Sequence, residues 1–142
     1  MSLPTVPKTK LLIDFLRAIG WDDTEETGYV LSPGPEIIES PDKLITLTPT
    51  TGPGFITEEA GLDAWGFQSR LRGPSDDSLS PELAAQQLDV MILNASYPLN
   101  VDGVNIQLVY RPGSPPIAMP LDPSDRRTDF TCTYMIISQT GA

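Results

Sequence analysis

The run from Ser78 to Ala95, Ser-Leu-Ser-Pro-Glu-Leu-Ala-Ala-Gln-Gln-Leu-Asp-Val-Met-Ile-Leu-Asn-Ala, constrains the fold more than any other stretch. Its spacing predicts an amphipathic helix. Ser80 offers a hydroxyl that can accept from an unpaired N–H at the helix start, Pro81 suits the first helical position, and Glu82 suits the positive end of the dipole. Ala84, Leu88, Met91, Ile92 and Ala95 follow the spacing that lines one face, with Glu82, Gln86 and Asp89 on the other. Strand-like runs flank it, Trp65 to Arg72 before and Val104 to Arg111 after. A one-faced helix between strands is expected to lie across a sheet.

The other segments supply that sheet and a second helix. Leu11, Leu12, Phe15, Leu16 and Ile19 predict an amphipathic helix closed by Gly20, with Trp21 folding back on it. An acidic linker, Asp22 to Glu26, leads to a short strand at Tyr29 to Leu31, and Ile37 and Ile38 suggest another extended piece. Lys43 to Thr48 is a strand by its β-branched content, after the turn signal Ser40-Pro41-Asp42. In Trp65 to Arg72, alternation puts Trp65, Phe67 and Leu71 in the core and Gln68, Arg70 and Arg72 in water. Asp102-Gly103 between Leu99 to Val101 and Val104 to Arg111 is a hairpin signal, with Val104, Ile106, Leu108 and Tyr110 on one face. Asp129 to Ser138 is the clearest strand, with Phe130, Cys132, Tyr134 and Ile136 facing one way. The expected fold is one α+β domain over residues 1–142, a mostly antiparallel sheet carrying two amphipathic helices and long Pro/Gly-rich loops. Its expected core is Leu12, Phe15, Leu16, Leu44, Leu47, Trp65, Phe67, Leu88, Met91, Ile92, Ile106, Leu108, Cys132 and Tyr134.

Composition removes several kinds of chemistry. The chain has no histidine, so Ser-His-Asp and Cys-His pairs are impossible and metal sites lose their commonest ligand. Cys132, the single cysteine, sits mid-strand, where a packed thiol is expected. The acidic clusters Asp22-Asp23 with Glu25-Glu26, Glu58-Glu59 and Asp76-Asp77 lack the alternating spacing of a calcium loop and read as solvated charge. Gly52-Pro53-Gly54 has a proline where a phosphate cradle needs a donor. A hydrolase would need two carboxylates held on rigid elements, and Asp63, Asp89 and Asp129 are the only ones near regular structure to be considered for it. No catalytic, cofactor-binding or metal site is expected, and no enzyme. A net charge of -10 argues against a nucleic-acid groove. No run approaches the roughly 20 apolar residues of a membrane span. The first residues lack the layout of a signal peptide, so the protein is expected to stay where it is made.

In this order, Pro41 to Leu47, Trp65 to Gly73, the helix Pro81 to Ala95, the Asp102-Gly103 turn and Arg127 to Tyr134 resemble the tail terminator proteins of long-tailed bacteriophages, often labelled minor capsid proteins. Each motif alone is weak, and their order and spacing carry the likeness. A Gly-Arg-Asp turn is common before the last strand in such proteins, and Leu121-Asp122-Pro123-Ser124-Asp125 stands there instead. The resemblance implies a structural virion protein, a ring usually of six subunits that caps the tail tube and ends its polymerisation. Its implied partners are copies of itself, the tail tube protein and the head–tail connector or neck protein, with DNA only in passage and no membrane. It implies a place at the head–tail joint of the virion, and in the host cytoplasm during assembly. Other neck, connector-completion or tail tube subunits share such cores and are the nearest alternative, a small carboxylate-dependent hydrolase the remote one.

Two long segments, Pro49 to Asp63 and Arg111 to Asp125, read as loops. Apolar residues without a period to bury them, Phe55 and Ile56 in the first, Ile117 and Met119 in the second, are the expected contacts with a neighbouring subunit or the tube. Arg126 and Arg127 are expected at the polar rim of that contact, the bland alternative being a local ion pair.

Overall fold

The structure, a computed structural model, describes residues 6–22, 28–38, 41–57, 61–119 and 126–140, with side chains at 52–57 and 140 outside that description. It is α+β. Among the described residues a curled, mostly antiparallel sheet of seven strands carries two helices, α1 (Lys8–Ala18) and α2 (Leu79–Asn94). The strands are β1 (Val30–Pro33), β2 (Leu44–Thr57), β3 (Leu62–Ser75), β4 (Leu99–Val101), β5 (Val104–Tyr110), β6 (Ile117–Ala118) and β7 (Arg127–Thr140). Their order is β1-β2-β3-β7-β5-β4, with β6 also on β7 and the β1–β2 pair parallel. Helix α2 packs on β3, β7 and β5, whereas α1 touches β1, β2 and β4. These last strands lie at opposite ends of the order, so the sheet curls round α1 and both helices cover one inner face.

Local sequence explains most of the elements. Gly20, at φ +106°, ends α1 with two bonds that satisfy its last carbonyls, from Gly20 N to Arg17 O and from Trp21 N to Leu16 O, each 3.0 Å. Trp21 folds back as expected and donates its ring N–H to Tyr29 O at 3.0 Å. The Asp102-Gly103 turn has φ of 54° and 80°, the left-handed pair that a two-residue hairpin requires. Next to it Lys10 bonds Asp14 at 2.6 Å, and the Asp14–Asp102 hydrogen bond pushes the Asp102 carboxyl up and holds that of Asp14 down. This contact ties the hairpin tip to α1. Helix α2 begins two residues before the expected start. Its cap is the Asp77 carboxylate, which accepts from Ser80 N at 3.0 Å, and Ser80 instead spends its hydroxyl on Tyr29 Oη at 2.8 Å.

Three expectations about strands fail for physical reasons. Of Pro49 to Asp63, Pro49 to Thr57 and Leu62-Asp63 are strand and not loop, because β2 pairs with β3 through Gly54↔Ala64 and Thr57↔Leu62 across two irregularities. Pro49 and Pro53 are tolerated because β1 pairs only as far as Leu47, leaving β2 beyond it a sheet edge among the described residues. Val104, Ile106, Leu108 and Tyr110 do not share a face. Ile106 lies opposite Ser138 but Leu108 opposite Ile137, and this bulge at Gln107 sends Val109 inward and Leu108 and Tyr110 outward. Ile37 and Ile38 form no strand and are exposed. The second long segment contains β6, and residues 120–125 lie outside the described set, as do 23–27 of the acidic linker and Glu58-Glu59.

Of the expected core, all are buried except Leu108, 44% exposed on the outer face, and Met91, half-buried at the rim of α2. Phe67 and Tyr134 stack at 5.2 Å between ring centroids, in one buried cluster with Leu88 and Ile92. Arg72 and Asp89, both expected in water, are buried. Arg72 is wrapped by carbonyl groups, giving hydrogen bonds to Ile38 O and Pro41 O at 2.7 Å and to Asp42 O at 3.3 Å. Asp89 turns under α2, where it accepts from Tyr134 Oη at 2.8 Å and pairs with Arg111. A buried charge is tolerable on such terms, paired and hydrogen-bonded.

Candidate assembly surfaces

The outer face of the sheet carries the first surface. Residues directly opposite in an antiparallel pair project to the same side. Leu108 therefore stands with Ile137, Tyr110 with Met135, and Ile117 with Thr131. Leu108, Tyr110, Ile117 and Met119 are 44%, 38%, 54% and 37% exposed. Gly66 lies in the row of Tyr110 and Met135, and a Cβ there would fall 2.4 Å from Thr50 Oγ1 and 3.1 Å from Met135 Sδ, so both side chains close over the bare glycine. Ile117 and Met119 are thus exposed, as expected, and Leu108 and Tyr110 join the same face because of the bulge. Phe55 and Ile56 fall in β2, with side chains outside the described set.

The second surface is the far side of α2. Ala84, Ala85, Leu88 and Ile92 face the sheet, while Leu79, Leu83, Val90 and Leu93 face away, 76%, 56%, 55% and 38% exposed. The helix is apolar on two opposite sides, not one. A groove of about 800 Å³ runs along its flank, walled by Trp21, Tyr29 and Lys43 on one side and by Leu83, Gln87 and Val90 on the other. Since α2 covers the inner face of the sheet, its far side and the outer face of the sheet look in opposite directions. The signal was present in the sequence as Leu83, Val90 and Leu93, which the one-face reading leaves uncounted.

The arginines have partners within the chain. Arg126, at φ 58°, pairs with Asp76, and Arg127 pairs with Asp42. Arg70 holds Asp129 at 2.6 Å. These pairs clamp the start of β7 to the loops before α2 and β2, the local role set against a rim contact. The three considered carboxylates do not converge. Asp63 lies opposite Ser138 with Lys8 at 3.5 Å, and Asp129 lies opposite Arg72, nine residues along β3. That separation is about 30 Å at strand rise, against the roughly 5–9.5 Å of a glycosidase pair. Asp89 is on the inner face, committed to Tyr134 and Arg111.

Cys132 is buried, and its burial pushes the thiol pKa up, away from the thiolate that nucleophilic chemistry needs. Burial likewise raises the Tyr134 phenol, which stays protonated as the donor to Asp89. Among the described residues no three His, Cys, Asp or Glu side chains are grouped to hold a metal ion, and no helix is long and apolar enough to cross a membrane. The chain matches no protein-family model and no curated protein.

Proposed function

We propose that this chain is the subunit of a ring that caps the tail tube of a long-tailed bacteriophage, stops tube polymerisation and presents a surface to the head connector. The observation that carries the reading is the pair of unlike apolar surfaces on opposite sides of one small subunit. A closed ring of identical subunits is built head to tail, so each copy needs two different patches that meet. The outer face of the sheet and the far side of α2 supply two such patches. The order of motifs that resembles tail terminators supports the same reading. A net charge of -10 suits a lumen through which DNA passes without adhering. The partners are then copies of the chain, the tube protein and the connector, at the head–tail joint of the virion, and no cofactor is called for.

Replacing Ile117 and Met119 together by Ser tests the sheet surface. Both are exposed, so the subunit should keep its circular dichroism spectrum. Loss of their burial in a contact removes roughly 3 kcal/mol or more, over a hundredfold in association. Phage carrying this variant should show overlong or unjoined tails by electron microscopy. Tails of normal length, joined to heads, would remove the sheet face from the ring contact. Particles without any tail when the protein is deleted would instead make it a tube subunit.

A further inference from the structure

A weak seam in the sheet runs beside Ile117 and Met119. On that side of β7 the pairing with β5 ends at Met135 and the pairing with β6 begins at Thr131, so Cys132, Thr133 and Tyr134 have no strand partner there among the described residues. Pro112, Pro115 and Pro116 occupy the intervening chain and lack the N–H that could bridge the gap. Strand β6 pairs at two positions, with one further bond from Met119 N to Asp129 O at 2.8 Å. None of residues 112–119 is buried, and all but Pro116 are exposed. The root of the segment is fixed, because Arg111 pairs with Asp89, and just beyond it Gly113 has open space where a Cβ would stand. We propose that residues 112–119 form a strap that swings off β7 as a unit while the rest of the fold stays intact, and that a neighbouring subunit gripping Ile117 and Met119 holds it shut. The first half concerns the free chain alone, and the second rests on the ring reading.

A segment with few buried apolar contacts and exposed hydrogen bonds opens at far lower cost than the whole fold. The strap meets both conditions, so part of the proposed contact surface lies on a segment of low local stability. A contact made only with the closed strap stabilises closure, and closure strengthens the contact by the same factor. The chain carries its own reporter of this motion. A cavity of about 170 Å³ lies between the strap and β7, walled by Gly113, Ser114 and Ile117 on one side and by Cys132 with its flanking threonines on the other. With the strap closed Cys132 is buried, and burial pushes its thiol pKa up, which keeps it unreactive. Opening removes the wall of Gly113, Ser114 and Ile117 and admits a reagent.

Labelling of Cys132, the single cysteine, by an aromatic disulfide reagent over a series of low urea concentrations measures the opening. Local opening exposes little surface, so the rate should be nearly independent of urea and roughly tenfold or more above what global unfolding allows. Met119→Pro removes the donor to Asp129 O without touching a buried side chain. It should raise the rate roughly fivefold, the contribution of one backbone bond, with the unfolding midpoint little changed. A labelling rate with the same urea slope as global unfolding overturns the strap. So does an unchanged rate in Met119→Pro, or a thiol that labels at once in the native chain. In rings assembled on tail tube protein, labelling should slow by roughly tenfold or more, since the neighbour binds only the closed form. Rings in which it does not slow overturn the neighbour's grip. No ring at all removes the proposed function and that grip together, while the strap stands or falls on the labelling of the free chain.

Discussion

Asp89→Ala is expected to destabilise the folded subunit by about 1–3 kcal/mol, the range for leaving a buried hydrogen-bonding group without its partner. The carboxylate accepts from Tyr134 Oη at 2.8 Å and pairs with the half-buried Arg111, so truncation strands a buried phenol and leaves the guanidinium to water. Tyr134 is wholly buried, and water cannot take the place of Asp89 without opening the contact between α2 and β7. Replacing the whole set, Asp89→Leu with Arg111→Met and Tyr134→Phe, should cost far less, because no polar group is then left unpaired. Urea unfolding of the single and triple variants checks both. A single variant as stable as wild type would show that solvent reaches the carboxylate.

Gly73→Val is expected to cost about 3 kcal/mol, the upper end of what overpacking a tight contact does. A Cβ at Gly73 would lie 2.6, 2.8 and 2.9 Å from Cγ, Cδ and Cβ of Pro81. The proline ring cannot rotate away, it is buried, and it belongs to the first turn of α2. Relief must come from moving the helix off the end of β3, which loosens the packing of Ala84 and Leu88 as well. Gly73→Ala should show the same effect at smaller size. Unfolding midpoints equal to wild type for both variants would mean that α2 shifts freely on the sheet.

What the sequence discloses here depends on how local the cause is. The end of α1, the Asp102-Gly103 turn and the inward face of β7 were legible because each follows from neighbouring residues: a glycine at φ +106°, a two-residue left-handed turn, a period of two. The bulge at Gln107 was not. It is a matter of register against β7, and it reverses the facing of Leu108 and Tyr110 without a local mark. The far half of β2 was hidden by Pro49 and Gly52-Pro53-Gly54, which read as a loop until β1 is seen to stop at Leu47. Arg72 and Asp89 occupy positions that a period places in water. Their partners are carbonyls of residues 38, 41 and 42 in one case, and Tyr134, 45 residues on, in the other. Of the candidate surface, Ile117 and Met119 were legible as apolar residues with nothing to bury them. The far side of α2 was not, because a helix apolar on both sides gives a weak contrast between faces.

The ring is the central claim, and the most direct measurement is the mass of the purified protein alone and after mixing with tail tube protein, followed by electron microscopy of the mixture. A species of several subunits, six by the resemblance, should appear on the tube, seated at one end and halting its growth. Tubes that lengthen at the same rate and carry no added density at either end would contradict the account.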